Sequence, residues 1–178
     1  MGKLAIAVVV ALVIGLGAGW YYVAGAPQYS LYLLALAFQD RDEAAIARHF
    51  DVEQVAADAA DLVWATFREK GGLRIDSRAE AMIRDAKPQL GLVIKTAARQ
   101  GAQKVFGEAF GPVSFPFGLV TVWQRAGVAR DGASAGVALR GPGGKDVHLW
   151  MATKPGQGWR VVVFDRAGLA RALDETLK

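Results

Sequence analysis

The segment that most constrains this chain is the run "LAIAVVVALVIGLGAGWYYVA", residues 4–24, which holds no charged side chain. At about 1.5 Å rise per residue, a helix of this length reaches roughly 31 Å, the thickness of a hydrocarbon core. A transmembrane helix is therefore expected, with residues 1–26 as the anchor. The competing reading is a cleaved signal peptide, because Ala24-Gly25-Ala26 fits the small-x-small cleavage pattern. Apolar regions of signal peptides are shorter, about 7–15 residues. Pro27 would also stand directly after the cut, and Trp20, Tyr21 and Tyr22 form an aromatic belt suited to a membrane interface. Retention is favoured on all three counts. Lys3 precedes the run and the next basic residue is Arg41. The positive-inside rule then puts the N-terminus in the cytoplasm and the bulk of the chain outside.

Ala7, Ala11, Gly15 and Gly19 recur at every fourth position, so a helix places them on one face. Small residues let a neighbouring backbone approach closely, and Gly15-x-x-x-Gly19 matches the close-packing motif. The expected neighbour is an integral-membrane protein or a second copy of the chain. Gly2 raises myristoylation, but Ile6 stands where Ser or Thr is needed.

The remainder of the 178 residues suits one domain, 27–178. The chain has no cysteine, which excludes disulfides, thiolate nucleophiles and Cys-based metal sites. The net charge of +4 is spread thinly, unlike the concentrated basic face of a nucleic-acid binder. Residues 27–110 read as mainly helical. Leu31, Leu34, Ala35 and Phe38 keep helical spacing, and a break is expected near Asp40. Asp42 and Asp51 are placed to cap the next two helices, the second of which stops at Lys70-Gly71-Gly72. Ser77 and Glu80 fit a capping box. Pro88 is expected to divide the segment after Ser77 into two helices, the second reaching about Phe106.

Residues 111–178 read as mainly strands. Four runs, 119–125, 134–140, 146–153 and 159–164, are separated by the turn-forming "RDGA", "GPGGK" and "KPGQG". They predict a four-stranded antiparallel meander, followed by a C-terminal helix over 167–177. The fold class is α+β, with several helices packed on one face of the sheet.

Pro27, Tyr29, Leu31 and Tyr32, the acidic break Asp40-x-Asp42, the helix start "HFDVEQV" and the late strand "GWRVVVF" together resemble a family of uncharacterised membrane-anchored bacterial envelope proteins, domain of unknown function 2939. The resemblance covers about a third of the chain, and a helix after the last strand departs from the family pattern. It implies a bacterial inner-membrane location with a periplasmic main domain, and the family has no assigned activity. More distantly, the plan is similar to the cone-shaped nuclear-transport-factor and cystatin-like roll, which hosts many functions.

Motifs for chemistry are sparse. "RGPGGKDV" is not a phosphate loop, because Leu139 and Asp146 occupy positions that need Gly and Ser or Thr. His49, at a helix end, suits a cation or a hydrogen bond to a terminal carbonyl. His148 shares a strand face with Asp146 and Trp150 and is the lone base candidate. No catalytic, cofactor-binding or metal residue is assigned. The Phe-rich loop carries Phe106, Phe110, Phe115 and Phe117. These phenylalanines plug one end of the core, or else Phe110, Phe115 and Phe117 form a partner or ligand surface with Trp123 and Trp150. The expected function is a non-enzymatic accessory subunit docked on a larger membrane complex. The alternatives are a module that binds an apolar small molecule, or a pocket hydrolase or isomerase.

Overall fold

The computed structural model describes residues 2–71, 77–141, 146–156 and 158–165, with backbone alone at 2–10, 62–71 and 77–90. Among them are six helices: α1 (Gly2–Ala24), α2 (Pro27–Asp40), α3 (Glu43–His49), α4 (Val52–Gly71), α5 (Ser77–Phe110) and α6 (Phe117–Arg125). Four strands come after: β1 (Ala126–Asp131), β2 (Ser134–Arg140), β3 (Asp146–Lys154) and β4 (Gly158–Phe164). The strands pair in sequence order, each antiparallel to the next. The class is α+β, as the sequence predicts.

Local chemistry explains the helix boundaries. Pro27 takes the first position of α2, where a missing N–H leaves no bond unmade. Arg41 ends α2 in the left-handed region at φ 58° and donates its N–H to Ala37 O. The Asp42 carboxylate accepts from Ala45 N–H at 3.0 Å, and Asp51 accepts from Gln54 N–H at 3.2 Å, so both act as the expected caps.

α2 is the central element. Leu31, Leu34, Ala35 and Phe38 are all buried, together with Pro27, Ser30, Tyr32 and Ala37 on its other sides. It packs against α3, α5, α6, β1 and β4. The inner sheet face adds Ala135, Val137 and Leu139 of β2, Leu149 and Met151 of β3, and Trp159 and Val161 of β4 to the same core, all buried. The opposite sheet face carries Trp150, His148 and Arg160, which alternate with those core positions. Beyond β4, Phe50 bridges Val161, and Asp51 N–H donates to Val161 O at 2.9 Å. The α3–α4 link thus covers part of an edge that would otherwise present unpaired backbone. α4 and α5 run antiparallel, tied by Lys95 to Glu53, while Arg99 of α5 pairs with Glu43 of α3.

Two expectations need correction. Residues 119–125 are not the first strand: α6 spans Phe117–Arg125, and the strand is Ala126–Asp131. Val, Thr and Trp favour a strand locally, but the buried positions are Gly118, Val122 and Ala126, four residues apart. Packing against α2 selects the helical period. Pro88 does not break the chain either, because α5 is one 34-residue helix through it. A proline inside a helix forfeits one backbone bond and costs about 3 kcal/mol. The long interface with α4, and the burial of Ala102, Phe106, Ala109 and Phe110 farther along, offset that loss.

The expected helix over 167–177 lies outside the described residues. Among the described residues no helix is long and apolar enough to cross a membrane. The side chains of α1 are described only from residue 11 onward, and that part alone is shorter than a span requires.

Candidate functional site

The junction between α1 and the folded domain is built from residues far apart in the chain. Ala26 and Pro27 are buried, so the link is not a free tether. The indole N–H of Trp159 on β4 donates to Gly25 O at 2.9 Å, across 134 residues. Trp159 itself is buried, and the Arg130 guanidinium stacks 5.1 Å from its ring centre. Gly158, at φ +74°, brings the strand close to α2: a Cβ there would lie 3.9 Å from Ser30 Oγ. On the other side Trp20 meets Tyr29 edge-on at 5.7 Å, and Tyr29 meets Tyr32 at 6.3 Å. Trp20 therefore braces α1 against α2. Tyr21 and Tyr22 are exposed.

The small face of α1 has no neighbour among the described residues. Beside Gly15 and Gly19 nothing lies within 4 Å of where a Cβ would stand, and Ala11 is exposed. The side chain of Ala7 lies outside the described residues.

The Phe-rich loop divides between core and surface. Phe106 and Phe110 are buried, packed edge-on at 5.7 Å, so Phe110 belongs to the core rather than to a surface. Phe115 and Phe117 are 66% and 77% exposed and lie near exposed Val120 on α6. This patch sits at the far end of α2 from α1, because Val113 N–H donates to Gln39 Oε1 at 2.9 Å. Trp123 is half-buried. Trp150 is exposed on the outer sheet face, its ring over Gly136. Phe117 and Trp150 thus belong to different surfaces: α6 packs on the α2 side of the sheet, and Trp150 points away from it.

The two histidines also part ways. His148 is exposed, and its backbone carbonyl accepts from Asp165 N–H at 2.8 Å. Its ring has no hydrogen-bond partner among the described residues. His49 is buried, and its Nδ1 lies 3.4 Å from Trp159 O. Burial holds its pKa below the ordinary imidazole value, against the opposing hydrogen bond to that carbonyl; the Arg48 and Arg160 charges add to the lowering. It is a neutral tie between α3 and β4, not a terminal cation.

A cleft of about 620 Å³ opens beside this tie, lined by Ala44, Ala47 and Arg48 of α3, Lys154 at the end of β3, Gly156 of the β3–β4 turn, and Arg160 of β4. Arg160 donates to Ala47 O at 3.0 Å and stands 3.5 Å from the Asp51 carboxylate. Among the described residues Arg48 and Lys154 have no ion-pair partner.

Neither the junction nor the cleft is legible in the sequence. "GWR" puts Trp159 beside Arg160, but their partners, Gly25 for Trp159 and Ala47 and Asp51 for Arg160, are separated from them by most of the chain. Compared with family models, curated proteins and solved structures, the chain matches none.

Proposed function

We propose that this chain is a membrane-anchored accessory subunit that presents its folded domain at a fixed orientation to a larger membrane complex. The N-terminal run 4–24 is its single span, with the small face of Ala7, Ala11, Gly15 and Gly19 turned toward an integral-membrane partner or a second copy. The charge distribution around the span supports a periplasmic placement, and the opening after Pro27 resembles that of envelope proteins built on the same plan.

The observation that carries this reading is the braced junction. A domain that merely needed to stay near a membrane would be served by a flexible linker. Here the Trp159–Gly25 hydrogen bond, the Trp20–Tyr29 contact and the buried Ala26-Pro27 link join helix to domain. Such a join has a use when span and domain must meet the same partner in register. The exposed Phe115 and Phe117 supply an apolar contact for the outer half of that interface.

The test combines extraction and assembly. The chain should resist alkaline extraction from membranes and migrate in mild detergent as a complex larger than itself. Gly15→Leu with Gly19→Leu should shrink that complex, and Phe117→Ser should weaken it. A chain that runs as a monomer, unaffected by any of these changes, would refute the accessory reading.

A further inference from the structure

We propose that the cleft between α3 and the β3–β4 turn is an anion site that receives a phosphate group. Among the described residues its ionisable lining side chains, Arg48, Lys154 and Arg160, are all cationic. They come from two separate elements, a helix and a hairpin. Bringing like charges together costs energy unless an anion stands between them. Elsewhere the same helix obeys the ordinary rule, with Glu43 paired to Arg99.

The cations are arranged for different tasks. Arg160 is pinned by Ala47 O and by Asp51, with its side chain only 13% exposed, so its position is set before any ligand arrives. Asp51 offsets one of the three charges and leaves the cleft positive. Arg48 and Lys154 are exposed and unpaired among the described residues, free to close on a phosphate from two sides. Gly156, at φ +75°, forms the rim without a side chain, and nothing lies within 4 Å of its Cβ position, so the approach is open. Burial is the main cause that holds the His49 pKa down, and the Arg48 and Arg160 charges add to it.

Place gives the source. Arg160 is next to Trp159, whose indole holds Gly25 at the end of α1. The rim turn and the junction share the start of β4, where Gly158 also approaches Ser30 in the first turn of α2; on the anchored reading this end of the domain faces the lipid headgroups. The site itself stands on the three cations; only the lipid source rests on the anchored reading above.

The experiment uses the full chain in neutral-detergent micelles and fluorescent short-chain phosphatidylglycerol as the probe. Unlabelled phosphatidylglycerol, glycerol phosphate and inorganic phosphate serve as competitors. Saturable binding is expected, weakened about tenfold or more in Arg48→Gln/Lys154→Gln, two exposed positions whose loss removes no internal bond among the described residues. A charge-matched control, Lys104→Gln/Arg140→Gln, should bind as the parent does. Competition by the lipid alone identifies a headgroup phosphate. Equal competition by glycerol phosphate or inorganic phosphate identifies a soluble phosphate source. No saturable binding, or equal weakening in the control pair, overturns the site. If alkaline extraction releases the chain while glycerol phosphate still competes, the anchored reading falls and the site stands.

Discussion

Replacing Trp159 with Phe tests the junction most directly. The change keeps an aromatic ring among the core residues and deletes the indole N–H that Gly25 O accepts. Leaving a buried acceptor unpaired costs about 1–3 kcal/mol. The Trp159–Gly25 bond is only partly buried, so the lower part of that range applies, about 1–2 kcal/mol. An increment of that size changes an opening equilibrium roughly 5- to 30-fold. The assay is amide hydrogen exchange on the full chain in detergent micelles. Peptides covering residues 25–32 should exchange faster by about that factor, since local opening sets their protection. Peptides from the centre of β2 and β3 should not change, because their ladder does not depend on the indole. Unchanged exchange at 25–32 in a folded variant would refute the claim that this hydrogen bond braces the anchor. Equal acceleration everywhere would mean that the indole serves core packing and nothing more.

Three other outcomes rest on particular contacts. His49 is neutral in the fold, while the unfolded chain takes up a proton near pH 6.5; its contribution is full above that value and is lost as pH falls through the lowered folded pKa. The parent should therefore lose melting temperature between about pH 7.5 and 5.5, and His49→Asn, which can still donate to Trp159 O, should lose less. Asp42→Ala removes the cap on Ala45 N–H and should cost about 1 kcal/mol in chemical denaturation. Gly118→Ala gains roughly 1 kcal/mol of helix propensity. Its Cβ would nevertheless lie 2.9 Å from Val113 Cβ and 3.0 Å from Val113 Cα, backbone that cannot swing aside, so a net loss is expected by thermal melting.

Residues 27–71 are the most legible part of the sequence. Caps, stops and helical spacing are local signals: Asp42, Asp51 and Gly71 act within a few residues of where they stand. The β1–β2 hairpin turn is legible for the same reason, and three of the four expected strands coincide with β2, β3 and β4. The first strand is misplaced in the sequence because α6 has strand-like composition. Its helical period becomes visible only when Gly118, Val122 and Ala126 meet α2. Pro88 misleads in the opposite direction: a local breaker is overruled by the interface between α4 and α5.

The sequence by itself determined the apolar run, the helical and strand halves and the absence of thiol chemistry, because each depends on residue type and near spacing. It could not reveal that Trp159 holds Gly25, that His49 is buried against β4, or that Arg48, Lys154 and Arg160 share one cleft. Nor could it divide Phe106, Phe110, Phe115 and Phe117 between core and surface. Those are decisions of tertiary packing. Each joins groups up to 134 residues apart, and no periodicity within a segment records which distant segment will be folded against it.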